Sequence, residues 1–167
     1  MTQTARRQCL PCTACCDGWL GANIRGHKVT AGKPCPYSTP CGCAIYADRP
    51  EQPCRVFTCS WVVDNSPLPD WMRPNISGAI VLLNMPWQKE RVIWATPVGE
   101  SIPEATLNWL KDYARKYKRP LIFHERIVTE GVFSGLKRFG FGGPEFRSRV
   151  ASMTAEELDA ALAMGSS

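Results

Sequence analysis

Cys9-Leu10-Pro11-Cys12-Thr13-Ala14-Cys15-Cys16 opens a run of thiols that continues through Cys35, Cys41, Cys43, Cys54 and Cys59. All nine cysteines of the 167-residue chain fall in this span, and residues 60–167 contain none. Two overlapping Cys-x2-Cys units, Cys9/Cys12 and Cys12/Cys15, let the backbone turn so that two sulfurs face one ion. Thiolate is a soft donor, suited to zinc and to iron–sulfur centres. Cys15 and Cys16 are adjacent, and adjacent side chains point apart. They therefore serve two different centres, or one of them is a bystander. Counting alone allows two four-coordinate sites, or one four-cysteine centre with spare thiols. The start Cys9-x2-Cys12-x2-Cys15 matches the opening of a ferredoxin-type run, and Cys35 precedes Pro36, but Cys16 then follows Cys15 at once.

Composition sets the context for these thiols. The N-terminal Met1 to Gln8 is short, polar and basic, and no apolar signal segment follows it. No apolar run is long enough to span a bilayer, so no membrane partner is expected. The expectation is a cytoplasmic protein, where a dense cysteine pattern points to metal binding or catalysis before disulfides. The odd number of cysteines also leaves one out of any fully paired set. The formal charge of +5 counts thiols as neutral. Eight thiolates on two divalent ions would cancel most of it, so an overall attraction to nucleic acid does not follow. There is no phosphate-binding Gly-Lys loop, dinucleotide fingerprint, Gly-x-Ser-x-Gly elbow or HExxH helix. If the chain is an enzyme, the cysteines make it an iron–sulfur oxidoreductase.

Residues 1–63 form a cysteine-cluster region, and residues 64–167 form an α+β lobe packed with it. In the first region large apolar residues are sparse, and Pro11, Pro34, Pro36, Pro40, Pro50 and Pro53 interrupt regular structure. Such a segment is poorly placed to fold on hydrophobic burial alone. A structural zinc supplies about 10–16 kcal/mol, comparable to the roughly 5–15 kcal/mol stability of a whole domain. Metal is therefore expected to hold this third of the chain together.

The order of the residues resembles a known family, the CxxCxxCC cysteine-cluster proteins of the YkgJ type, a zinc- or iron-chelating domain. The resemblance is carried by Cys9-Leu-Pro-Cys12-Thr-Ala-Cys15-Cys16, Cys35-Pro-Tyr37, Cys43-Ala-Ile-Tyr46-Ala-Asp-Arg49-Pro50 and Cys54-Arg55-Val-Phe57-Thr-Cys59. It implies chelation of zinc or iron, with an iron–sulfur cluster among the forms iron would take, by Cys9, Cys12, Cys15, Cys16, Cys35, Cys43, Cys54 and Cys59. Cys41 is extra to the pattern and is left out of the ligand set, as a loop thiol. Arg49 and Arg55 are placed to donate hydrogen bonds to thiolates, and Tyr46 and Phe57 to pack over the centre. His27, in Arg-Gly-His-Lys, reads as a solvent-facing loop residue, and His124 as a structural one.

The second region reads as strand–strand–helix–strand. Ala79 to Leu83 and Arg91 to Thr96 are strands, joined by residues 84–90. Ser101-x-x-Glu104 is a capping box that opens a helix over residues 102–117. Leu107, Leu110, Tyr113, Ala114 and Tyr117 form its buried stripe, and Pro120 stops it. Leu121 to Val128 is a third strand or strand pair, and Thr154-x-x-Glu157 opens a final short helix. Gly135 to Arg149 interleaves basic and aromatic residues, a composition that serves single-stranded nucleic acid. The favoured reading of that stretch is a mobile Gly-rich loop. Nucleic acid is therefore an open partner but not the favoured one, and a metal-stapled interaction module ranks behind metal chelation and iron–sulfur redox chemistry.

Overall fold

Residues 79–97 carry two apolar stretches separated by Gln88-Lys89, and they fold as an antiparallel pair. These strands are β5 (Ala79–Trp87) and β6 (Glu90–Pro97). The structure, a computed structural model, describes residues 6–154 and residue 157. Both strands run longer than the sequence predicts, and the link between them shrinks to Gln88 and Lys89. Asn84 and Pro86 look like breakers, yet a bulge between Leu82 and Met85 carries β5 past them. Pro86 is tolerated because β5 is an edge strand of the four-stranded sheet β5-β6-β7-β8.

Helix α2 (Glu104–Tyr117) then crosses over to β7 (Leu121–Thr129), which pairs parallel with β6. The Ser101 box does not cap it. Pro103 precedes the first turn, with no side-chain cap bond. Leu110 and Ala114 are buried as expected, but Tyr117 is exposed and Thr106 is buried on the stripe instead, its Oγ1 donating to the Ser77 carbonyl at 2.7 Å. Ser77 ends the short helix α1 (Pro74–Ser77).

The mobile loop expected over residues 135–149 is not found. Val132–Phe141 is strand β8, antiparallel to β7, and Pro144–Ala151 is helix α3. The glycines that suggested a loop have other work. Glu130 and Gly131 take positive φ in the β7–β8 turn. A Cβ on Gly140 would lie 3.1 Å from Val150, so its bare backbone lets α3 lie against β8. The expected lobe is thus an α+β sheet with one more strand and one more helix. Thr154 and Glu157 do exchange the two capping-box bonds, at 2.8 and 3.2 Å. The remainder of the helix expected there lies outside the described residues.

Strand alternation gives the sheet two apolar faces. Val81, Leu83, Ile93, Ala95 and Leu121 pack under α2 together with Trp61, Leu68 and Met72. On the opposite face, Phe146 and Val150 of α3 cover Trp87, Val92, Trp94 and Ile122. The rest of that second face, at Ile80, is covered by Cys12 and Ala14 of the cysteine-rich region. That region has little regular structure: two small antiparallel pairs, β1 (Ala22–Ile24) with β2 (His27–Val29), and β3 (Ser38–Thr39) with β4 (Gly42–Cys43).

Arginines tie the two regions through backbone carbonyls. Arg7 donates to the carbonyls of Trp61 and Leu68 at 2.9 and 2.7 Å. Arg73 donates to the Leu10 carbonyl at 3.0 Å, and both guanidiniums lie over the Trp61 ring. Buried Arg126 donates to Gly99 and Trp19 at 2.6 Å each, and to Pro97. It also stacks on the Trp19 ring. Burial draws its pKa down to about 10, still well above neutrality.

His124 on β7 is fully covered. Its Nδ1 lies 3.3 Å from the Ala95 carbonyl, and its ring lies 4.8 Å from that of Trp94. Burial, helped by the charges of Arg126 and Arg138, holds its pKa at about 4, below the ordinary 6.5. The folded ring is neutral, whereas the unfolded chain binds the proton first. The stabilisation is therefore complete above pH 6.5 and is lost as the pH falls towards 4, by up to about 3 kcal/mol. Urea unfolding followed across this pH range should show that slope, and His124→Phe should flatten it.

Candidate metal centre

Each cysteine group is placed by its own backbone device. Cys12 N–H donates to the Cys9 carbonyl at 2.8 Å, closing the turn that the Cys-x2-Cys spacing calls for. A helical turn, Cys15–Trp19, follows. Asp17 fastens it, accepting from Thr13 Oγ1 at 2.9 Å and from Ser38 Oγ at 3.0 Å. The second bond reaches β3, whose Ser38 pairs with Cys43 of β4. Cys35 N–H donates to the Cys16 carbonyl at 2.8 Å and brings the middle group in. Cys54 sits in the helical turn Glu51–Arg55.

Cys59 is set by the sheet edge. Its neighbour Ser60 donates its N–H to the Val81 carbonyl at 2.9 Å, and Ser60 Oγ accepts the Leu83 N–H at 2.8 Å. Two of the backbone groups on the edge of β5 are satisfied in this way, and Cys59 is carried to the same side as Cys12.

The outcome is convergence of distant stretches. Cys9, Cys12, Cys15, Cys16, Cys35, Cys43, Cys54 and Cys59 all line one cavity of about 780 Å3. Cys41 does not line it. That residue is exposed on the β3–β4 turn, where its N–H donates to Thr39 Oγ1. All nine thiols are free. As the side chains stand, no three ligand-type groups among the described residues are gathered closely enough to hold an ion. The eight thiols surround a space and do not meet at a point.

Their electrostatics favour protonation of Cys15, Cys16, Cys54 and Cys59. Burial, then the neighbouring Cys43 and Cys35, pushes Cys16 up to about 12. Burial likewise raises Cys54 and Cys59. Cys15 is raised above all because its S–H donates to Cys9, with burial adding to the effect. The same bond lowers Cys9 to about 7, and Arg49 and Arg73 help, against the effect of burial. The Cys9 thiolate is therefore accessible near neutrality, and ionising the four raised thiols needs a cation.

The flanking residues divide. The hydrogen bonds of Arg49 and Arg55 run to backbone carbonyls and not to sulfur. Arg49 donates to Tyr46 at 2.5 Å, and Arg55 donates to Arg49 at 2.9 Å and to Ala47 at 2.6 Å. Arg49 acts on Cys9 and Cys54 through its charge alone. Phe57 packs against Cys12 and Ile80. Tyr46 lines the cavity but stays partly exposed under the Arg49 guanidinium, 3.8 Å above its ring. His27 is exposed on β2, edge-on to Tyr37.

The cavity floor is built from residues that no motif marks. Ile80, Leu82, Met85, Trp94 and Thr96 of the sheet line it. Trp94 Nε1 and Thr96 Oγ1 are buried there without a hydrogen-bond partner among the described residues. The only available hint was a polar Thr96 and an indole N–H in the otherwise apolar run Val92–Thr96.

Of the basic and aromatic residues of 135–149, Lys137, Phe139 and Arg147 are exposed, while others are engaged in packing and pairing. Phe139 stacks on Phe123 at 5.3 Å, Phe146 is core, and Arg149 pairs with Glu90 at 2.5 Å.

No protein-family model, curated protein or solved structure matches this chain. The site must be read from its own chemistry.

Gly18 holds the cysteine turn against β2. Its φ is +93°, and a Cβ there would lie 2.0 Å from the Thr30 carbonyl oxygen. Gly18→Ala should destabilise the protein by more than about 2 kcal/mol through strain and clash together. Thermal unfolding reports the loss. Hydrogen exchange should place it first in residues 9–43.

Proposed function

We propose that this chain binds zinc or iron through thiolates of Cys9, Cys12, Cys15, Cys16, Cys35, Cys43, Cys54 and Cys59. The observation that carries the reading is the sorting of the nine cysteines. Eight, drawn from four separate stretches, face one cavity, while Cys41 is turned out to solvent. Apolar packing alone gives no reason for that sorting, since Leu or Val fills such space with larger side chains. The donor set fits the metals. It is all sulfur, partly dehydrated, and held by backbone bonds that approach from several directions. The resemblance to the CxxCxxCC proteins supports the same set.

A bound cation also resolves the charge problem of the cavity. Thiols pushed upward by burial and by one another lose their protons to a metal, and the ion's charge replaces those protons. The work of the protein's own residues is then to orient sulfur and to exclude water. Asp17 and Ser38 fix the turn, Ser60 fixes Cys59, and Phe57 shields the sheet side. A second reading, an iron–sulfur redox protein, is favoured by the size of the cavity, about 780 Å3, which exceeds what single ions need. A cluster would supply one-electron chemistry there.

Protein purified without oxygen from cells replete in both metals should contain zinc or iron by elemental analysis. Acid-labile sulfide and a visible charge-transfer band mark the iron–sulfur form, and a colourless zinc protein marks the other. Material that carries neither metal, with its thiols joined in disulfides, would sink the proposal. Chelation should release the front third selectively. Amides of residues 9–59 should exchange quickly while β6 and β7 stay protected.

A further inference from the structure

The eight thiols do not pack as one group. Cys12 is buried with Ala14 against Ile80 of the sheet, and Cys59 packs into the same cluster. Cys35 is buried with Ile24 and Val29 of the β1–β2 hairpin, and Cys16 and Cys54 pack there, beside Tyr37. One cluster leans on the sheet and the other on the hairpins. The adjacent residues Cys15 and Cys16 straddle the division, because neighbouring side chains on one turn project in different directions.

From this packing we infer two metal centres, one held by Cys9, Cys12, Cys15 and Cys59 on the sheet side and the other by Cys16, Cys35, Cys43 and Cys54 on the hairpin side. The inference rests on the metal-binding reading above and adds the number of centres and the ligands of each.

The remaining members of each set follow from contact and hydrogen bonding. Cys12 N–H donates to the Cys9 carbonyl at 2.8 Å, which ties Cys9 to the first set, and Cys15 S–H donates to Cys9. Cys43 stands opposite Ser38 in the β3–β4 pair, and Ser38 N–H donates to the Cys35 carbonyl at 3.0 Å, which places Cys43 beside Cys35. Cys16 and Cys54 pack with Cys35, whose N–H donates to the Cys16 carbonyl at 2.8 Å. The sets also meet: Cys16 feels Cys9, and Cys15 feels Cys16.

Each set draws its thiols from both ends of the cysteine-rich region. The sheet-side set joins residue 9 to residue 59, and the hairpin-side set joins residue 16 to residue 54. The hairpin-side loop is nested inside the sheet-side loop. Each centre thereby closes a long loop, the arrangement in which a cross-link removes most entropy from the unfolded chain. Four sulfurs per centre also satisfy the tetrahedral preference of zinc and the four-thiolate demand of an iron–sulfur cluster.

The test is metal content of two double variants, C12S/C59S and C35S/C54S, with C41S as control. Each double variant should keep about half of the wild-type metal, and C41S should keep all of it. A single centre predicts another outcome: one double variant loses everything while the other loses nothing. That result overturns the partition and leaves the metal-binding reading intact. Loss of all metal from both variants would also count against it, provided cobalt agrees. Cobalt(II) titrated into reduced, metal-free wild-type protein should raise the thiolate charge-transfer band linearly to two equivalents. A break at one equivalent overturns the two-centre assignment without calling on any variant. No binding of cobalt, zinc or iron at all overturns the metal reading itself.

Discussion

The contact of Cys12 and Ala14 with Ile80 is the joint on which the molecule turns. α3 covers only part of one sheet face, and the rest would be open apolar surface without the cysteine-rich region. That region, in turn, has too little apolar surface and too much proline to form a core by itself. Each side supplies what the other lacks: the sheet gives a flat apolar base, and the irregular segment gives cover. The carbonyl bonds from Arg7, Arg73 and Arg126 reinforce the joint with charge-assisted hydrogen bonds, worth more than neutral ones where water is thin.

The charge balance in the cavity follows from the same arrangement. Burying sulfur removes the water that a thiolate would need, so protons are held on Cys15, Cys16, Cys54 and Cys59. Arg49 softens this for Cys9 and Cys54, and Arg73 for Cys9. Arg49 and Arg55 are engaged in holding the 46–55 loop through its carbonyls.

Sequence reading reached the parts of the fold that are periodic. The strands at 79 and 91 and the helix ending at Tyr117 follow from apolar spacing, and the structure places them nearly where that spacing does. It failed where one residue type has two uses. Gly140 serves close packing and not a loop, so β8 and α3 were hidden behind a glycine-rich composition. Pro86 is harmless only because β5 lies at an edge, a fact of topology that no local pattern reports. Ser101 and Glu104 have the spacing of a cap, but Pro103 already sets the backbone at the helix start. At the cavity, the eight cysteines were legible because sulfur spacing is local chemistry. The sheet residues beneath them were not, because Trp94 and Thr96 reach the cavity only through the register of β5 with β6.

Ser60 has a consequence that reaches beyond the thiols. Its two bonds to Val81 and Leu83 screen part of the outer rim of β5 and set the position of the neighbour Cys59. An uncovered strand rim templates self-association between identical chains. By occupying those two groups, Ser60 leaves less of the rim open for a second copy of the chain to pair with.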